Sequence, residues 1–95
     1  MARPKLSDIE IQRELNALPG WTRRGDALVK SFSFETFPEG IQFVTRVAST
    51  AEELQHHPDL DVRYTKIIAT LSTHDSGGIT AMDIRLAKAM EELSG

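Results

Sequence analysis

Residues 38–71, "PEGIQFVTRVASTAEELQHHPDLDVRYTKIIATL", change their hydrophobic period midway, and that change decides the fold. In the first half Ile41, Val44, Val47, Ala48, Ala51 and Leu54 recur at helical spacing and form one apolar stripe. The pattern predicts a helix over about 38–56, ended by Pro58. A residue before proline is pushed out of the helical region, and that residue is His57. The second half is β-branched and aromatic. It predicts two strands, about 60–64 and 67–73, around a tight turn near Thr65-Lys66. Ile67, Ala69 and Leu71 then face one way, Ile68 and Thr70 the other.

The flanks repeat the theme. Upstream, Ser7 with Glu10 is a capping-box pattern, Ile11, Leu15 and Leu18 keep helical spacing, and Pro19-Gly20 is a stop, so a short helix is expected at about 7–17. Residues 21–24 and 27–34 then read as a hairpin around Gly25-Asp26, with Leu28, Lys30, Phe32 and Phe34 on one side and Val29, Ser31 and Ser33 on the other. The tripeptide Arg24-Gly25-Asp26, known as an adhesion sequence, reads here as that turn. Downstream, "DSGG" is a loop, and Thr80 with Asp83 opens a last helix whose buried face is expected from Ile79, Met82, Leu86, Ala89, Met90 and Leu93. The order is α-β-β-α-β-β-α. The expected class is α+β: a four-stranded antiparallel sheet with three helices packed on one face, in a single domain over 1–95.

Composition narrows the functions open to such a chain. Its 95 residues carry a net charge of −3 and no cysteine, which excludes disulfides and thiolate metal sites. The 11 lysines and arginines are scattered, which argues against a direct nucleic-acid partner. No segment has the apolar length of a signal peptide core or a membrane span, so no membrane partner and a cytoplasmic location are expected.

The chain has 3 histidines, and all lie within "QHHPDLDVRYTKIIATLSTH". Glu52 and His56 are spaced i, i+4, which makes them neighbours on a helix, and His56 falls near the negative end of the helix dipole. Both effects predict a raised pKa for His56. His57 leaves the helix and must diverge from His56, so the pair can reach two sides of one cavity. His74 follows a strand end and Asp83 lies in the first turn of the last helix. Imidazoles and a carboxylate gathered on one rim make a proton-transfer site near neutral pH. Each residue alone has a plainer reading: His56 as a helix-end cation, His57 and Glu52 as solvated, His74 as bonded to nearby backbone, Asp83 as cap partner of Thr80, Tyr64 as sheet packing. Those readings leave the clustering of every histidine to chance.

Two rival chemistries are weaker. Three histidines and a carboxylate are zinc-ligand types, yet the spacing lacks the paired histidines that aim two rings at one ion. Gly77-Gly78 before a helix hints at anion binding, without a phosphate-loop or dinucleotide fingerprint.

The string Glu52-x3-His56-His57-Pro58-x5-Tyr64-x9-His74-x8-Asp83 resembles the signature of the pterin-4a-carbinolamine dehydratases. "LPGW", the Phe32/Phe34 strand, "TRVA", "LSTH" and the final "D-I-x-L-A" extend the similarity over roughly residues 6–93. Departures are mild: Ile79 stands where leucine is usual, and Gly40 where alanine is expected. The resemblance implies a dehydratase that removes water from a 4a-hydroxytetrahydropterin to give quinonoid dihydropterin, in recycling of a tetrahydrobiopterin-type cofactor. It implies His56, His57, His74, Asp83 and Glu52 as the catalytic set. Gln55, Pro58, Ser72, Thr73 and Asp75 join the three histidines in contacting the pterin, and no metal or organic cofactor is required. His56 as acid with His74 as base is the role split to test. The family also implies a homodimer or homotetramer, for which the outward Ile68 could supply apolar cover. The alternative is a non-catalytic, protein-binding module of transcription-coactivator type on the same fold.

Overall fold

In the computed structural model, which describes residues 3–95, the change of period falls where the sequence places it. The order is α1 (Asp8–Leu15), β1 (Thr22–Arg24), β2 (Ala27–Ser33), α2 (Phe37–Leu54), β3 (Asp59–Arg63), β4 (Lys66–Leu71), a 3-10 turn (His74–Ser76) and α3 (Ala81–Ser94). The four strands form one antiparallel sheet in the order β1-β2-β4-β3. The expected class and element order hold.

Local chemistry explains the boundaries. At α1 the Ser7 hydroxyl accepts from the Glu10 amide at 3.2 Å, and the Glu10 carboxylate accepts from the Ser7 amide at 2.9 Å. α1 ends two residues earlier than expected and relaxes into tighter turns, with Ala17 and Leu18 amides bonded to the Glu14 and Leu15 carbonyls. Gly25 takes φ +58° in the β1–β2 turn, with open space where a side chain would stand. The β3–β4 turn falls on Tyr64-Thr65, one residue before the expected place, and Tyr64 holds φ 54°. The strand expected to reach residue 73 ends at Leu71.

The core lies between one face of the sheet and the helices. Leu28 and Phe32 of β2 and Ile67, Ala69 and Leu71 of β4 are buried, while Val29, Ser31, Ile68 and Thr70 alternate onto the other face. Ile68 is on that other face, half-buried beside Ser31. Lys30 shares the core side of β2, as the alternation requires. Its ammonium lies over the Phe32 ring, 4.8 Å from the centroid, donates to the Pro19 carbonyl at 2.9 Å and pairs with Glu91. Glu91 also accepts from Trp21 Nε1 at 2.8 Å.

The buried face of α2 is rotated from the expected stripe. Gly40, Phe43, Val47 and Ala51 are buried, whereas Ile41 and Ala48 point outward. The helix carries two adjacent apolar rows, and the sheet takes the one containing Phe43, whose ring packs on Phe32 and Phe34 at 4.8 and 5.1 Å. In α3, Ile84 and Ala87 join Met82, Leu86 and Met90 in the core, while Ala89 and Leu93 are half-buried. Among the described residues no helix is long and apolar enough to cross a membrane.

Candidate active site

Sheet register brings the histidines together. Asp59, the first residue of β3, lies opposite Thr70 of β4. Strands run antiparallel, so the three residues before β3 and the three after β4 meet beyond that pair. His56, His57, Pro58, Ser72, Thr73 and His74 are those residues. An isolated bridge between Thr73 and Gly78 then pinches off the 3-10 turn and returns the chain beside Thr73, where α3 starts.

The exit from α2 is sharper than a proline stop alone would make it. Gln55 adopts the left-handed conformation, φ 52° and ψ 42°, which costs a non-glycine residue about 1–2 kcal/mol. The compensation is local. Its side-chain amide donates to the Glu52 carbonyl at 2.8 Å, and the His56 amide closes on the Ala51 carbonyl at 3.0 Å. The helix thus ends at Leu54, two residues before the expected limit, and both histidines lie outside it.

That early end changes the expected pairing. Glu52 does not partner His56. Its carboxylate bonds Nε2 of His57, with both side chains largely exposed. His56 instead turns inward, and its Nε2 stands 2.6 Å from Oδ1 of Asp83. Neither ground for the sequence-based expectation about His56, a helical Glu52 neighbour and a place in the last helical turn, is present in the structure.

Asp83 is fully buried and each of its oxygens is satisfied. Oδ2 accepts from the Thr80 amide at 2.9 Å and from the Thr73 hydroxyl at 2.8 Å, while Oδ1 faces His56. The plain reading of Asp83 as a cap is correct and incomplete: the same carboxylate caps α3 and grips the imidazole. An ionised carboxylate only accepts, so His56 presents Nε2–H to it and keeps Nδ1 for other work.

A cleft of ≈ 210 Å³ opens at this corner, lined by Gln55, His56, His57, Ser72, Thr73, His74 and Asp75. Seven of the residues named from the sequence therefore border one hollow. Glu52 and Asp83 stand behind His57 and His56. Pro58, expected to touch the pterin, is not among the residues lining the cleft. His74 is exposed, and among the described residues its ring makes no hydrogen bond. The Ser72 hydroxyl is committed to the Asp26 carbonyl at 2.7 Å. Thr73 is likewise committed inward, since its amide donates to Gly78 and its hydroxyl serves Asp83.

Other readings fare less well. The glycines that hinted at anion binding are used by the chain itself: the Gly77 amide donates to the His74 carbonyl and the Gly78 amide to the Thr73 carbonyl. Among the described residues no group of three or more histidine, aspartate or glutamate side chains is arranged to hold a metal ion. Thr80 was expected only as a helix cap. It is fully buried, and its hydroxyl lies 2.8 Å from that of Thr73. Nothing in the linear sequence marks this contact, because it depends on the pinched 74–77 turn.

Comparisons with known proteins agree with this architecture. Residues 4–93 match the family described as pterin 4 alpha carbinolamine dehydratase. A protein of Thermomicrobium roseum, provisionally named a pterin-4-alpha-carbinolamine dehydratase, is 48% identical over 90 residues, covering 95% of this chain and 97% of its own. A crystal structure from Brucella melitensis, described as a transcriptional coactivator/pterin dehydratase, superposes with a TM-score of 0.93 at 34% identity, over 96% of this chain and 99% of that one. A pterin dehydratase-like protein described as a RuBisCO assembly factor in the alpha-carboxysome shares the fold, with a TM-score of 0.65 at 22% identity over 79% of this chain and 87% of that one. By its sequence over nearly its whole length, the chain belongs to the pterin 4 alpha carbinolamine dehydratase family.

Proposed function

We propose that the protein dehydrates 4a-hydroxytetrahydropterins to quinonoid dihydropterins by metal-free histidine acid–base catalysis. The observation that carries this reading is the convergence of three imidazoles on one cleft, with His56 and His57 each backed by its own carboxylate. The elimination needs a proton delivered to the leaving 4a-hydroxyl and one removed from N5, after which the C4a–N5 double bond forms and water departs. His56 is the acid. Its inner nitrogen is held by Asp83, its charged form is balanced by that buried carboxylate, and Nδ1 is left to deliver the proton. His74, whose ring makes no hydrogen bond among the described residues, is the base that takes the N5 proton. Its exposure lets it return that proton to solvent. His57 with Glu52, together with Gln55 and Asp75, holds the polar edge of the pterin, while Ser72 and Thr73 shape the wall.

The test is dehydration of a synthetic 4a-hydroxytetrahydropterin by the purified protein, measured over the buffer rate. Acceleration is expected, and His56→Ala and His74→Ala should each lower kcat by about 10²–10⁴-fold. Absence of acceleration by the wild type overturns the function. Near-normal turnover by a folded His74→Ala protein overturns the role given to His74.

A second reading, a protein-binding module, draws on exposed apolar side chains remote from the cleft: Phe37 and Ile41 on α2, and Val62 and Tyr64 on the β3–β4 hairpin. The Brucella melitensis relative, described as a transcriptional coactivator/pterin dehydratase, points the same way. Such exposed apolar side chains would equally suit a homodimer or homotetramer. A wild-type protein inert toward the carbinolamine would favour binding over catalysis.

A further inference from the structure

We propose that the hydroxyls of Thr80 and Thr73 are positioning groups for His56, forming a one-way hydrogen-bond chain that fixes Asp83 and, through it, the tautomer and aim of the imidazole. The directions follow from the chemistry of the atoms. A carboxylate only accepts, so Thr73 donates to Asp83 Oδ2 at 2.8 Å. A hydroxyl has one proton, so the 2.8 Å contact between Thr73 and Thr80 is donated by Thr80. Thr80 in turn accepts from the Met82 amide at 3.2 Å. The chain therefore runs Met82 N–H to Thr80 to Thr73 to Asp83, and each link polarises the next.

The consequence falls on His56. Oδ2 of Asp83 already takes two donors, the Thr73 hydroxyl and the Thr80 amide. Oδ1 is left for Nε2–H of His56. Thr80 and Asp83 are both fully buried, so water does not compete at those two ends of the chain. A His56 ring carrying its proton on Nδ1 would turn a bare nitrogen toward a buried carboxylate oxygen, losing a hydrogen bond on a charged group. Nδ1 of the neutral ring is thus held proton-free toward the cleft.

A cap alone would not demand this arrangement. An aspartate at position 80 would accept from the first amides of α3 equally well, yet would have no proton to give Thr73. A threonine accepts and donates at once, and here it does both, joining the start of α3 to the end of β4.

The kinetic arm of the test rests on the dehydratase reading; the spectroscopic arm does not. With 15N-labelled protein at a pH where the ring is neutral, NMR should show His56 as the Nε2–H tautomer alone. Thr73→Val leaves the Thr80–Asp83 cap in place and removes the link, so a mixture of tautomers should appear, and Thr73→Ser should restore the single form. Dehydratase kcat should fall about 10- to 100-fold in Thr73→Val, the range seen when the group orienting an imidazole is lost, with KM little changed and recovery in Thr73→Ser. Thr73→Ala supplies the same comparison should the valine variant not fold. An Nδ1–H tautomer in the wild type overturns the proposal, as does a valine variant that keeps the single Nε2–H form. A serine variant as impaired as the valine one also overturns it, since that would be packing. Wild-type protein without turnover but with the expected tautomers would sink the dehydratase reading and leave the chain standing.

Discussion

Nε2 of His56 lies 2.6 Å from Oδ1 of Asp83, a carboxylate with no solvent exposure that starts a different helix. The pair joins the end of α2 to the beginning of α3 at the point where β4 also ends. A buried carboxylate is tolerable only when hydrogen bonds replace its water, and three donors do so here. Geometry at the cleft and integrity of the α3 cap thus depend on one side chain.

Asp83→Asn separates these two duties. The asparagine oxygen can replace Oδ2 and keep the Thr80 and Thr73 bonds, while its amide group presents hydrogens to His56 and forces the opposite tautomer. Dehydratase kcat should fall by about 10²–10⁴-fold. Stability should fall by about 1–3 kcal/mol, because a hydrogen bond between neutral groups replaces one made to a buried carboxylate, while the cap survives. Steady-state kinetics with denaturant unfolding of the same protein checks both numbers. Near-normal turnover would mean that Asp83 only caps the helix.

Glu52→Gln should behave differently. Glu52 and His57 are bonded, but their side chains are 71% and 59% exposed, so solvent screens the pair. Stability should change by less than about 0.5 kcal/mol. The expected effect is on substrate affinity: KM rises while kcat falls far less than in Asp83→Asn. Equal losses of kcat in the two variants would refute a peripheral role for Glu52.

These pairings show where sequence reading succeeds and where it stops. Alternation in Ile67–Leu71 and helical spacing in Val44–Leu54 dictate the sheet and α2, because side-chain period is a property of the backbone. The cluster of histidines was legible for the same reason, since an α-to-β exit before Pro58 must run beside the end of β4. The partners were not legible. Glu52 and His56 look adjacent on an ideal helix, yet Gln55 breaks it with a left-handed residue that no glycine announces. Asp83 lies 27 residues from His56, and Thr80 meets Thr73 only because the 3-10 turn folds back. The second apolar row of α2 hid Phe43, since spacing alone does not say which of two rows the sheet selects.

The α1 cap carries a pH signature. The Ser7 amide, and secondarily its hydroxyl, holds the Glu10 carboxyl below its ordinary value of 4.5. A folded-state value below the unfolded one means a stabilising contribution that is complete above the unfolded value and is lost as pH falls through the folded one. Glu10 should therefore titrate below 4.5 by carboxyl-carbon NMR in the wild type and move part of the way back up in Ser7→Ala. An unmoved Glu10 in that variant would mean that the hydroxyl plays no part in holding the box together.

Gly40 offers the opposite case, a position where the sequence is not at its stability optimum. It lies inside α2, buried, with helical rather than left-handed backbone. A methyl built there would meet Ile67 Cδ1 and Phe34 Cδ2 at 3.5 Å, ordinary contact that needs no rearrangement. Gly40→Ala therefore restricts the unfolded chain and fills space without strain, and should add about 0.5–1 kcal/mol. For a chain of this size that raises Tm by about 2–8 °C. Gly40→Leu tests the other limit: its extra carbons must enter the packed space between Phe34 and Ile67, at a cost of about 1–3 kcal/mol. Thermal unfolding of the three proteins should rank alanine above glycine above leucine. An alanine variant less stable than the wild type would show that α2 sits closer to the sheet than these contacts describe.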